Sequence, residues 1–166
     1  MADVMNIFQA APEAPASSSA FDLDKLTEQF KQQRNTDWSV PEAFLCLLLA
    51  AASVDGNVSV EEQGEIYALA RRSRALKTVS PSQLAAANTS VNERLKNRPN
   101  GLQEACQSLP MDMRLPVFAH CVDIILADGA LLPVEADYLN KIMAFMQLDA
   151  NDAKRIMEVL LVKNRF

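Results

Sequence analysis

Two stretches of this chain, residues 44–76 and 117–149, follow one pattern and constrain how it can fold. Each is an apolar run that ends in Asp-Gly, with a Glu seven residues after the Asp. An offset of 73 positions places Asp55 on Asp128 and Glu62 on Glu135, and apolar positions coincide at the same offset. Repetition of one supersecondary unit predicts an internal pseudo-two-fold repeat. Acids at matching positions make a shared site a hypothesis worth testing.

The length and the cysteines bound the class of protein. A chain of 166 residues is one domain, or one domain with a tail, and it can bury enough surface to fold without disulfides. Cys46, Cys106 and Cys121 are scattered and fit neither a disulfide framework nor a zinc spacing, so reduced core thiols are expected. The longest apolar run, residues 43–53, is too short to span a bilayer. Because no signal-peptide pattern begins the chain, we expect a cytoplasmic protein.

The helical signals start after a leader. Residues 1–20 are rich in Ala, Pro and Ser and are expected to be disordered, and residues 21–166 are expected to form one helical domain. Capping boxes open at Ser39, Ser59 and Ser80, and Pro133 suits a first helical turn. Further helices are predicted near residues 23–30, 101–109, 111–127 and 150–163. The helix near 111–127 is the sixth of the eight, and Pro116 early in it is an alternative mark of its first turn. No period-two pattern predicts a strand. The expected fold is a compact all-α bundle of about seven or eight helices.

The repeated acids have two interpretations. In the first, Gly ends a helix with positive φ, and Glu62 and Glu135 occupy third helical positions where a carboxylate caps free amides. In the second, Asp55, Glu62, Asp128 and Glu135 converge and bind Mg²⁺, Ca²⁺ or Mn²⁺, since oxygen ligands favour hard ions. Asp55 and Asp128 lie at helix C-terminal ends, where the dipole disfavours an anion. Either the N–H groups of the following helix or a cation would offset that cost. An EF-hand is excluded because Ile66 and Leu139 stand where its twelfth-position Glu belongs.

The net charge of −5 hides a basic segment. Residues 66–100 carry seven bases against one acid, whereas residues 1–65 carry eleven acids against three bases. The basic segment contains no aromatic residue for base stacking, so nucleic acid is not expected as a partner. A solvated face is the simplest interpretation. A protein's acidic surface or anionic lipid headgroups come next, with Arg71, Arg72 and Arg74 as the binding residues.

The duplicated segments AAASVDGNVSVEE around Asp55 and LADGALLPVE around Asp128 resemble the tellurite-resistance TerB family and the TerB-like domain of some membrane-anchored DnaJ-type co-chaperones. The resemblance covers roughly residues 40–165. It implies a compact helical fold and an acidic cluster proposed to bind cations, to which Asp55, Glu62, Asp128 and Glu135 correspond. It also implies a stress or metal-resistance context at the inner face of the membrane. The second copy departs from the first by having Leu132 where Ser59 caps a helix.

Enzyme chemistry has little support in the sequence. His120 is the only histidine; Asp123 lies on the same helical face and can orient it, but the spacing places no nucleophile or second base beside them. No phosphate-binding glycine loop is present, and no small-molecule substrate is evident. Two hypotheses therefore stand: a domain that binds a divalent cation through its duplicated turns, and a cation-free module that binds a protein or a membrane surface through its basic face.

Overall fold

The chain folds as a helical domain. The computed structural model describes residues 37–165 except 55, 57 and 75, and it describes Glu62 and Asp128 in their backbone only. The described helices are α1 (Val40–Ala52), α2 (Val60–Arg72), α3 (Pro81–Asn97), α4 (Gly101–Ser108), α5 (Met111–Ile125), α6 (Pro133–Phe145) and α7 (Ala150–Lys163). No strand occurs in this part of the chain, so the all-α prediction is confirmed. The leader and the helix predicted near residues 23–30 lie outside the described residues.

Local capping explains where two of the helices begin. The Ser39 hydroxyl accepts the amide of Glu42, and the Glu42 carboxylate accepts the amide of Ser39 at 2.8 Å. The same reciprocal pair joins Ser80 and Gln83 at the start of α3. Each pair satisfies two amides that the helix itself leaves free, which stabilises the helix by about 1 kcal/mol. Two of the three predicted capping boxes are therefore confirmed, and the one at Ser59 stays a prediction.

Helix α1 is the centre of the domain. Seven of its thirteen residues are buried, among them Phe44, Leu45, Leu47 and Leu48 at no more than 1% exposure. It packs against α2, α3, α4 and α5, which lie around it. The Tyr138 hydroxyl on α6 also reaches it, donating to the carbonyl of Leu47 at 2.8 Å. A helix that is apolar nearly all round is stable only when other helices cover each side of it.

Helix α5 begins where it was predicted and ends earlier. It begins at Met111, so Pro116 lies at its sixth residue and the alternative start at Pro116 is wrong. It ends at Ile125, two residues earlier than predicted, and continues as a 3-10 turn, Leu126–Asp128. Gly129 then takes φ 77°, and its amide donates to the carbonyl of Leu126. This left-handed conformation is the glycine stop that the Asp-Gly pattern predicted.

The two repeats agree in outline and differ in their turns. In both, an Asp-Gly segment separates two consecutive helices that pack together, α1 with α2 and α5 with α6. Gly56, however, has φ 159°, an almost extended value, whereas Gly129 is left-handed. The pseudo-two-fold relation between the copies stays a prediction.

The cysteines lie in the core, as predicted. Cys46, Cys106 and Cys121 are all free thiols with no exposed surface. Burial raises the pKa of Cys46 and that of Cys121 to about 12 each. Since the thiolate is the reactive form, these side chains act as small apolar residues at neutral pH.

A buried arginine ties the second half of the domain together. Arg114 is 3% exposed, and it forms no ion pair with another described residue. Its guanidinium instead donates to three backbone carbonyls, those of Gln107, Leu109 and Met146, at 3.0–3.1 Å. These carbonyls lie at the end of α4 and at the end of α6. Arg114 therefore joins two helix ends that are distant in the sequence.

We expect Arg114→Met to lower the free energy of unfolding by about 3 kcal/mol, because three carbonyls lose a charged donor inside the protein. Arg114→Lys should recover only part of this, since an ammonium lacks the planar fork of donors. Arg155→Met is the matched control, because Arg155 is 78% exposed in its side chain and should cost under about 0.5 kcal/mol. Urea unfolding measures all three. An Arg114→Met protein as stable as the control would contradict this account.

Candidate functional site

Of the four predicted ligands, the structure describes the side chain of one. Asp55 lies outside the described residues, and Glu62 and Asp128 are described in their backbone only. Glu135 is the third residue of α6 and is 8% exposed. Its Oε2 accepts the amide of Leu132 at 2.6 Å. Because Leu132 has no side-chain oxygen, this contact is half of a capping box, and Glu135 has the capping role that the first interpretation assigned to it.

A cleft of about 490 Å³ lies between the two helix pairs α1–α2 and α5–α6. Its walls come from the end of α1, from α2, from the end of α5 and from the start of α6. Most of the described lining is apolar, including Ile66 and Leu69 on α2 and Ile124 and Ile125 on α5. Its size lies within the range of ligand pockets, roughly 300–1,000 Å³. The cleft thus combines surfaces from both copies of the repeat.

Four charged residues line the same cleft. They are Glu65 and Arg72 on α2, Asp123 on α5 and Glu135 on α6. Glu65 belongs to the first copy of the repeat and Glu135 to the second, so acids from both copies border one space. The residues described here contain no group of three or more His, Cys, Asp or Glu placed to hold a metal ion. A metal site would therefore need side chains beyond those described, such as the predicted ligands Asp55, Glu62 and Asp128.

Asp123 is held by the C-terminal end of α7. Its carboxylate accepts from Lys163 Nζ at 2.6 and 2.7 Å and from Asn164 Nδ2 at 2.9 Å. Burial by itself would raise the pKa of Asp123, but the hydrogen bonds from Asn164 and Lys163, with the attraction of the Lys163 charge, lower it overall. The Asp123 carboxylate in the cleft wall is therefore already paired with the Lys163 ammonium group.

His120 lies between the core and this ion pair. Its ring meets Phe44 edge-on, with centroids 5.7 Å apart and planes at 81°. Burial lowers the pKa of His120; the Asp123 carboxylate opposes this shift and Lys163 adds to it. Among the described contacts, the Asp123 oxygens accept from Lys163 and Asn164 and not from the imidazole. The prediction that Asp123 orients the His120 ring through a hydrogen bond is therefore wrong for the described contacts.

The arginines of the basic segment divide into two groups. Arg71, Arg72 and Arg74 are exposed at and just after the C-terminal end of α2. None of them forms an ion pair with another residue that the structure describes. We call these three residues the arginine surface. Their charges are available for a partner.

Arg94 and Arg98 belong to the second group. The Arg94 guanidinium lies over the Trp38 ring, 5.0 Å from its centroid, and donates to the Asp37 carbonyl at 2.8 Å. Arg98 pairs with the carboxylates of Asp37 at 2.7 Å and Glu104 at 3.0 Å. These two arginines fix residues 37 and 38 against α3 and α4. Two of the seven bases in the basic segment are therefore structural.

Sequence reasoning missed two parts of this arrangement. It counted Arg94 and Arg98 with the basic face. Arg98 in fact pairs with Asp37, which lies 61 positions before it in the chain. It also did not place Arg72 in the same cleft as the acids. No local pattern carries either signal, because both depend on how helices cross.

The depressed pKa of His120 makes stability depend on pH. Below its ordinary value of 6.5, the unfolded chain binds a proton more readily than the folded chain, so the free energy of unfolding falls as the pH falls. We expect His120→Gln to flatten this slope between about pH 7.5 and pH 5.5, above the range in which carboxylates titrate. Urea unfolding at several pH values measures the slope. An equal slope in both proteins would contradict the assignment.

Comparison with known proteins gives the family. Searches of curated proteins and of solved structures returned no match. None of the described helices is both long and apolar enough to cross a membrane. The family model described as "Tellurite resistance protein TerB" matches residues 41–158, which include all seven described helices in whole or in large part. The chain belongs to the TerB family.

Proposed function

We propose that this TerB-family domain is a non-enzymatic interaction module whose arginine surface binds an acidic face of a partner protein. The observation that carries the proposal is the division among the arginines. Arg94 and Arg98 are occupied by internal contacts, whereas Arg71, Arg72 and Arg74 are exposed without ion pairs to other described residues. Three exposed guanidinium groups within four positions concentrate positive charge at one end of α2, and an acidic partner would neutralise that charge.

The proposed setting follows from the family. The family is named after tellurite resistance. We therefore propose that the domain works in a stress or metal-resistance complex, in the cytoplasm and at the inner face of the membrane. Arginine suits such an interface because its planar guanidinium group binds a carboxylate through two parallel hydrogen bonds and is weakly hydrated. Electrostatic attraction of this kind speeds association and makes it sensitive to salt.

Charge reversal tests the arginine surface. We expect the triple variant Arg71→Glu/Arg72→Glu/Arg74→Glu to capture at least about tenfold less of a specific protein than the wild type does. We also expect salt to release that protein from the wild type. The matched control reverses Lys96, Lys141 and Lys154, which are also exposed helical bases. Quantitative mass spectrometry after affinity capture compares the three proteins at equal expression. Capture of the same proteins by both triple variants would contradict the proposal.

A second candidate function is divalent-cation binding at the duplicated turns. It is favoured by one observation: Glu65 and Glu135, from different copies of the repeat, line one cleft between the two helix pairs α1–α2 and α5–α6. The proposed ligands are Asp55, Glu62, Asp128 and Glu135, whose oxygens suit Mg²⁺, Ca²⁺ or Mn²⁺. Glu135 uses one oxygen to cap Leu132, which leaves the other for an ion. Such an ion would hold the two turns together and shape the surface that a partner meets.

A melting experiment tests the cation. Chelator-treated protein should melt about 5–10 °C higher at a hundredfold excess of ion over its Kd. Asp55→Asn and Asp128→Asn should each abolish this rise. Asp137→Asn, an exposed acid two residues beyond Glu135, is the matched control and should keep it. No rise with millimolar Mg²⁺, Ca²⁺, Mn²⁺ or Zn²⁺ would remove the cation and leave the acids as helix caps.

A further inference from the structure

The cleft carries opposite charges at two places along α2. Glu65 and Arg72 both line it, seven residues apart on one helix. Seven residues are almost two full turns, so the two side chains share a face and lie about 10.5 Å apart along the axis. Leu69 lies between them on that face and also lines the cleft. Along α2 the wall of the cleft therefore presents an acidic, an apolar and a basic side chain in that order.

The opposite wall offers mostly apolar contact. Ile124 and Ile125 face the cleft from α5. Asp123 is in the same wall, but Lys163 and Asn164 already bind its carboxylate. Among the described lining residues, the charges left to meet a ligand are therefore those of Glu65, Glu135 and Arg72. An apolar channel with separated charges favours a ligand that is itself apolar in the middle and charged at its ends.

We propose that this cleft binds a short peptide segment of the partner, with an acidic residue against Arg72, apolar residues along Leu69 and a basic residue against Glu65. An extended chain advances about 3.3 Å per residue, so roughly three residues separate the two charged groups. The inference rests on the proposed function, because Arg72 belongs both to the arginine surface and to the cleft. It adds the chemistry of the segment that the partner presents.

Three synthetic peptides of one length test the charge order: acetyl-EELLIKK-amide, acetyl-EELLIEE-amide and acetyl-KKLLIKK-amide. Isothermal titration calorimetry on the full chain should give the wild type a preference of about tenfold or more for the first peptide. Arg72→Glu should move the preference to the all-basic peptide. Glu65→Arg should move it to the all-acidic peptide. A fourth peptide with serines in place of LLI should not bind.

Glu61→Arg is the matched control, since Glu61 is exposed on α2 and does not line the cleft. It should keep the wild-type preference. A wild type without preference among the peptides, or variants with unchanged preference, would overturn the cleft assignment. If capture still depends on the arginine surface in that case, the proposed function stands without the cleft. If the peptides behave as expected but the triple variant captures the same proteins, the cleft binds peptides of this charge order, but the captured proteins use neither the arginine surface nor the cleft, and a segment of the partner as its occupant is overturned.

Discussion

Burial of α1 is the constraint on which the rest of the structure depends. Its large side chains, from Phe44 to Leu48, stabilise the fold by about 2 kcal/mol each when removed from water, and they point in every direction around the helix. One neighbouring helix covers only one side. Helices α2, α3, α4 and α5 therefore all pack against it, and Tyr138 on α6 binds its Leu47 carbonyl. The arrangement of the outer helices follows from the need to enclose one apolar rod.

Enclosing that rod decides which polar groups become structural. Arg114 is buried where α4 and α6 end, and it satisfies three carbonyls there. Arg94 and Arg98 lie where Trp38 crosses α3 and α4, and they are occupied by Asp37 and Glu104. Only polar side chains that are not occupied by such internal contacts can bind a partner. In the described part of the chain these include the arginines at and just after the C-terminal end of α2 and the charged lining of the cleft, where we propose that a partner binds.

Much of the fold was predictable because its signals are local. A capping box binds residues three positions apart, so Ser39 and Ser80 located the starts of α1 and α3 correctly. The predicted α7, residues 150–163, is also correct. The start of α5 at Met111 was also predicted, and Pro116 is accommodated within the helix and does not mark its first turn. The candidate site was less predictable: Glu135 caps α6 as one interpretation expected, but its meeting with Glu65 and Arg72 depends on helix crossing.

The sequence by itself determined that the chain is helical, where most helices begin, that the cysteines are buried and that a TerB-type pattern is duplicated. Periodicity, capping and apolar runs act over a few residues, and such short-range effects are written directly in the order of the residues. Only the tertiary structure decided which arginines are occupied and which acids share a cleft with Arg72. Those outcomes depend on distances between residues far apart in the chain, such as Asp37 and Arg98, and packing around α1 sets those distances.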